Sequence, residues 1–119
     1  MKILLDANFV ITCAKQKIDF ETIANELIDG YLVWLVPKEV LEEINNLNDK
    51  DLSKLSLEIL QHLDPKIIEL PGKNPNVDEK ISRYIKGEEI ILATLDKGLC
   101  DRVSNQILTI KGKKSLALI

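Results

Sequence analysis

Four acids in this 119-residue sequence stand where folding would gather them at one edge of a sheet. Asp6 follows the apolar run Lys2-Ile3-Leu4-Leu5, and Asp96 follows Leu92-Ala93-Thr94-Leu95. Glu43 lies in Pro37-Lys38-Glu39-Val40-Leu41-Glu42-Glu43-Ile44, and Asp78 in Asn76-Val77-Asp78-Glu79-Lys80-Ile81. Carboxylates sharing one crevice repel and raise each other's pKa values unless a cation neutralises them. A donor set of hard oxygens, without His or Cys, favours Mg²⁺ or Mn²⁺. One such ion activates a water, and a second stabilises the leaving oxygen of a phosphodiester. Asn8 and Thr94 are placed to hold the carboxylates or position that water.

The elements that must position these acids follow from the hydrophobic pattern. Short runs rich in Ile, Leu and Val at Lys2–Leu5, Leu32–Val36, Ile67–Leu70, Glu89–Ala93 and Gln106–Ile110 read as strands covered on two faces. Helix-period segments lie between them, at 8–29 (two helices), 38–63 (two, broken near Asn45 to Asp51), 76–86 and 96–104. Turn chemistry sits at Asp29-Gly30, Asn48-Asp49, Pro71-Gly72 and Lys86-Gly87. Strand and helix in regular succession predict an α/β fold: one three-layer α/β/α domain over residues 1–119 with a mainly parallel five-stranded sheet. In such a sheet the ligand crevice lies beyond the carboxyl ends of the strands. Asp6 and Asp96 arrive there directly.

Helix phase selects the other two. At about 100° per residue, the apolar face of the segment after Pro37 is Val40, Leu41, Ile44 and Leu47. Glu42 lies opposite it, Glu39 well outside it, and Glu43 on its margin. In the segment after Asn76 the apolar face is Val77, Ile81, Tyr84 and Ile85; Asp78 is marginal and Glu79 points away. Each acid also has an ordinary reading. Asp6 and Asp96 fit as helix caps, Asp78 as a first-turn acid favoured by the helix dipole, and Glu43 as a solvated helix residue. Convergence on one edge favours the shared site.

Composition bounds the alternatives. With 45% hydrophobic residues, 29% charged and 4% aromatic, the chain is too apolar for disorder. No apolar run approaches the roughly 20 residues of a membrane span, and the MKILLD start is cut short by an acid, unlike a signal peptide. Two distant cysteines without a CxxC pattern suggest a reducing, cytoplasmic setting and no zinc site. The net charge of −3 excludes a wholly basic nucleic-acid binder but not a local patch. The single histidine, His62, late in a long helix, gives Ser-His or Cys-His chemistry no support.

On the stretches Ile3-Leu4-Leu5-Asp6-Ala7-Asn8-Phe9-Val10-Ile11, Val36-Pro37 through Ile44, Asn76 to Ile81, and Ile91 to Leu99, the sequence resembles the PIN-domain family of metal-dependent ribonucleases. The resemblance runs from Ile3 to about Ile110, and the order and spacing of the motifs carry it. It implies an endoribonuclease hydrolysing RNA phosphodiester bonds, with Asp6, Glu43, Asp78 and Asp96 as catalytic, metal-binding acids. The layout is most similar to the branch tied to ribosomal RNA processing and its small archaeal relatives. Toxin ribonucleases of toxin–antitoxin pairs share the motifs, so the implied partners are RNA and either an antitoxin or a ribosome-assembly partner. The sequence departs from the family pattern at Leu95, where many members carry Asn, and at Ala7, where a hydroxyl residue is common. No second carboxylate closely follows Asp96, and Asp101 points by phase to solvent.

Lys111, Lys113 and Lys114 form a short basic tail after the last predicted strand and suit an RNA backbone, a salt-dependent and sequence-blind contact. Arg83, Lys86, Lys97 and Arg102 either extend this patch or cover solvated helix faces. Trp34 reads as core, and Tyr31 as structural rather than a base-stacking platform. Apolar stripes on Phe20–Ile28 and Leu52–Leu63 suggest a homodimer. Two other readings share parts of the pattern. A phosphoacceptor receiver domain has an acid after its first strand but needs an aspartate after its third, where this chain has Glu69-Leu70-Pro71-Gly72. A PIN-like RNA-binding or scaffold module would keep the fold without the catalysis.

Overall fold

The computed structural model describes residues 1–119. In chain order the elements are β1 (Lys2–Leu5), α1 (Ala7–Gln16), α2 (Phe20–Leu27), β2 (Val33–Pro37), α3 (Lys38–Asn45), α4 (Lys50–Leu63), β3 (Lys66–Ile68), α5 (Val77–Ile85), β4 (Ile90–Ala93), α6 (Lys97–Arg102), β5 (Ile107–Lys111) and β6 (Ser115–Leu118). The sheet order is β3-β2-β1-β4-β5-β6. The first five strands are mutually parallel, and β6 returns antiparallel to β5.

Strand parity sorts the apolar side chains into two cores, because successive residues face opposite sides of a sheet. Ile3, Leu5, Trp34, Val36, Ile91 and Ala93 face one side, against residues of α1 to α4. Leu4, Leu35, Ile90 and Leu92 face the other, against Ile81 and Ile85 of α5 and Leu99 of α6. Each such Leu or Ile contributes about 1.5–3 kcal/mol relative to exposure. On the larger side, Phe20 stacks edge-on against both Phe9 and Trp34, with ring centroids 5.5 and 5.4 Å apart. Cys13 is buried in the same core, and burial pushes its thiol up to about 12, so it is no nucleophile.

Three expectations are corrected. A sixth strand exists, and Lys111, Lys113 and Lys114 do not form a tail. Lys111 ends β5, and the chain turns at Gly112, whose φ of +67° is the left-handed conformation glycine tolerates best. The expectation missed the alternation after the turn, where Leu116 is buried between exposed Ser115 and half-buried Ala117. β3 is also not covered on both faces. It is a three-residue edge strand, and Ile67 is 52% exposed.

The strand order decides one rival. Receiver domains have the order 2-1-3-4-5; here β3 lies outside β2, and β1 pairs with β4. The order reverses between β1 and β4. An open parallel sheet splits its crossovers at such a switch point and opens a crevice beyond the strand ends. β1 and β4 are the strands that deliver Asp6 and Asp96.

Candidate active site

Asp6 is fixed first. Its backbone N–H donates to the carbonyl of Ala93 at 2.9 Å, continuing the β1–β4 ladder one residue past Leu5. The side chain then caps α1, with Oδ1 accepting from the Ala7 N–H at 2.9 Å. Asp96 caps α6 in the same way, Oδ1 accepting from the Leu99 N–H at 3.1 Å. A Cβ at Gly98 would come within 3.3 Å of that oxygen, so the glycine leaves the carboxylate room. Both acids are therefore the caps their sequence context suggests, and both still face the crevice.

Thr94 is fully buried between them. Its hydroxyl donates to Asp6 Oδ2 at 2.7 Å and accepts from the Asp96 N–H at 3.1 Å. Asn8 Oδ1 accepts from the Leu95 N–H at 3.2 Å and lies 3.4 Å from the Thr94 hydroxyl. One hydroxyl proton serves one acceptor, and the shorter contact to the charged carboxylate takes it. The two orienting residues thus lock the β1 and β4 ends together. Thr94→Val keeps the shape but removes this donor and acceptor inside the fold. We expect a loss of about 1–3 kcal/mol in urea unfolding, together with a further rise of the Asp6 pKa. A variant as stable as the wild type would show that the hydroxyl holds nothing.

Glu43 and Asp78 reach the same crevice from α3 and α5. Burial raises the Asp6 carboxyl above its ordinary value against the hydrogen bonds from Thr94 and Ala7, and the charges of Asp78 and Asp96 push the same way. Glu43 is exposed, yet partial loss of water at its carboxyl and the charges of Asp6 and Asp78 hold it up. Asp78 is raised by desolvation and by the adjacent Asp96 carboxylate, while Arg102 opposes the rise. Every pairing of the four acids except Glu43 with Asp96 is therefore felt electrostatically. As the side chains stand, no three of them converge tightly enough to form a ready-made metal-binding group. The chemistry of the donor set fits a hard divalent cation: only oxygens, mutually repelling, with the Arg102 charge opposing the rise at Asp78 alone.

Phase reasoning fails for two neighbouring acids. Glu39 does not lie out in solvent. It accepts from Lys80 Nζ at 3.1 Å, with the side chains only 24% and 16% exposed, and its other oxygen is buried without a partner. Glu79 is half-buried and accepts from the Asn74 amide at 2.8 Å and from Arg83 at 3.0 Å. Helix phase describes one helix and does not contain the Glu39–Lys80 pair. Here α3 and α5 belong to opposite layers and meet over the sheet edge. The pair straps together the helices that carry Glu43 and Asp78. Lys80→Met strands the largely buried Glu39 carboxylate and is expected to cost about 2–3 kcal/mol of stability. It should also weaken Mn²⁺ binding, whereas Lys80→Arg retains both; unchanged Mn²⁺ binding in Lys80→Met would show that the strap does not set the acid spacing.

The other candidates separate cleanly. Asp101 and Glu42 are exposed, as phase predicts. Lys111, Lys113 and Lys114 are exposed and unpaired at the carboxyl end of β5, the same sheet edge as the acids. His62 is exposed at the end of α4 and Trp34 is core. Tyr31 is 84% exposed but lies just before β2, at the opposite edge. A groove of about 730 Å³ is also remote: it lies between the far end of α1, the start of α2 and α4.

No protein-family model and no curated protein matches the sequence. Solved structures do resemble this one. The PIN domain endonuclease Utp24 superposes with a TM-score of 0.83 at 20% identity, covering 98% of this chain and 90% of that one. VapBC2 from Rickettsia felis, solved bound to a DNA fragment from its promoter, gives 0.67 at 16% identity, covering 93% and 100%. A domain of a functionally unknown protein from Methanocaldococcus jannaschii DSM 2661 gives 0.62 at 17% identity, covering 96% and 94%.

Proposed function

We propose that this chain, which has the PIN-domain fold, is an endoribonuclease that hydrolyses RNA phosphodiester bonds with Mg²⁺ or Mn²⁺ held by Asp6, Glu43, Asp78 and Asp96. The observation that carries the reading is the mutual charge of these acids at the switch point of the sheet, which Arg102 offsets only at Asp78. The likeness to Utp24, described as an endonuclease, agrees with it.

When bound, a divalent cation supplies a lowered water pKa and stabilises charge developing on phosphoryl oxygens. The chain's own residues do the rest. Asp6 presents a carboxylate whose rotamer is fixed by Thr94 and the Ala7 N–H. Asn8 pins the Leu95 backbone and so the start of the Asp96 turn. Lys111, Lys113 and Lys114 draw the RNA backbone to this edge, and half-buried Leu95 lines the approach without adding a polar group. The biological setting is RNA processing or toxin action, with a ribosome-assembly partner or an antitoxin accordingly. A homodimer would use the apolar stripes of α2 and α4, where Leu27 and Leu55 are 44% and 42% exposed.

The test is cleavage of a mixed panel of structured and single-stranded RNAs with Mn²⁺. Cleavage is expected, is abolished by EDTA, and is retained by Glu42→Gln, whose side chain lies outside the crevice. Absence of cleavage across the panel would leave a PIN-fold RNA-binding or scaffold module. Loss of activity in Glu42→Gln would show that the site is misplaced on α3.

A further inference from the structure

We infer that the groove between α5 and α6 binds the sugar-phosphate backbone of the RNA strand, leading it down from the acidic edge along this face. The inference rests on the reading of the chain as an RNA-acting protein. The groove has a volume of about 250 Å³, and apart from Val103 its lining residues carry polar or charged groups: Glu79, Ser82, Arg83, Lys86, Arg102, Ser104 and Asn105. In a chain of net charge −3 it gathers three cations against one acid, Glu79. That acid is already engaged by Arg83 at 3.0 Å and by the Asn74 amide at 2.8 Å. Lys86 and Arg102 are exposed and take part in no ion pair.

The helix dipole accounts for a cation at the end of either helix taken singly. It does not account for two helix ends brought together around a polar floor. Asn105 builds that floor. Its Nδ2 lies 3.0 Å from each of three carbonyls, those of Ile85, Glu88 and Ile90, tying the end of α5 and the start of β4 to the loop after α6. The cations are thus presented from a fixed frame. The groove begins beside the acids, because Glu79, which lines it, is the residue after Asp78 on α5. From Asp78 to Lys86 is eight residues, about 12 Å along the helix axis, a span of a few nucleotides. A positive groove tracking a strand's phosphates is the sequence-blind half of single-strand binding. Together with the hairpin lysines it places basic groups on two sides of the crevice.

Anisotropy of a fluorescein-labelled, mixed-sequence single-stranded RNA tests this in EDTA, where cleavage plays no part. The comparison is wild type, Lys86→Gln/Arg102→Gln, and Lys15→Gln/Lys54→Gln. The last makes the same charge change at exposed positions on α1 and α4, in the opposite layer. At about 0.7 per phosphate contact on a single strand, the groove variant should lose about 1.4 from the slope of log affinity against log salt. The control should keep the wild-type slope. Equal slopes in all three proteins, equal losses in both variants, or no binding by the wild type would each overturn the inference. Mn²⁺-dependent cleavage of the same RNA by the wild type reads the nuclease proposal separately. A slope change without cleavage retains the groove and removes the nuclease; cleavage with an unmoved slope does the reverse.

Discussion

Asp6→Asn is expected to slow Mn²⁺-dependent RNA cleavage about a thousandfold, the equivalent of roughly 4 kcal/mol, while leaving the fold as stable as wild type or more so. The two halves of this result have separate causes. Cleavage suffers because Asp6 is the acid whose carboxylate is most firmly oriented, by Thr94 and the Ala7 N–H. Stability survives because Asn preserves the cap: Oδ1 still accepts from the Ala7 N–H, and Asn is as good an N-cap as Asp. The new amide N–H can donate to Thr94, whose proton then turns to Asn8 Oδ1, already 3.4 Å away. A buried charge that repels Asp78 and Asp96 is removed at the same time. Asp6→Ala separates the effects, since it loses the cap and leaves the Thr94 proton only the long contact to Asn8 Oδ1, at a cost of about 1–2 kcal/mol. Equilibrium unfolding beside the cleavage assay checks both, and an unfolded Asp6→Asn protein would assign Asp6 a structural role instead.

The second large effect is a stability that depends jointly on metal and pH. Asp6, Glu43 and Asp78 all have folded pKa values above the ordinary 3.8 to 4.5. Between the ordinary and the raised values the folded state holds protons the unfolded state has released. The slope of stability with pH is therefore negative through that window. The contribution of these acids is favourable below it and is lost as pH rises through the folded values. The stability of Asp6→Asn relative to wild type should accordingly grow from low to neutral pH. Mn²⁺ reverses the penalty: at a hundred times its Kd it stabilises by about 2.7 kcal/mol, which for a chain of this size raises Tm by roughly 10 °C. The rise should shrink as pH falls through the raised values of Asp6, Glu43 and Asp78 and these acids protonate. Thermal scans with and without Mn²⁺ decide it; a Tm insensitive to Mn²⁺ at neutral pH, or an equal rise in Asp6→Asn, contradicts the account.

What the sequence discloses and what it conceals divide along physical lines. The parallel strands are legible because both faces of β1, β2 and β4 are buried, so Ile, Leu and Val fill most of their positions on both faces. The break between α3 and α4 is legible because Asp49 caps the second helix through the Leu52 N–H. β6 is not, since a four-residue strand with one fully buried side chain leaves only a faint alternation. Asp6 and Asp96 can be placed because the residue after a parallel strand must emerge at the carboxyl edge. Glu43 and Asp78 can be placed because a marginal helix position faces a crevice. Glu39–Lys80 and the Asn105 floor join elements 41 and 15 to 20 residues apart in sequence, and no one-helix periodicity contains them. The acids at the site come from local rules, and the contacts that hold them in register come from tertiary ones.

The central claim is that the four acids form one cation site, and calorimetric titration of Mn²⁺ into the wild-type protein at neutral pH tests it most directly. The account predicts saturable binding that is lost in Asp6→Asn and retained in Glu42→Gln. No binding by the wild type at millimolar Mn²⁺, or binding indifferent to Asp6, would contradict it.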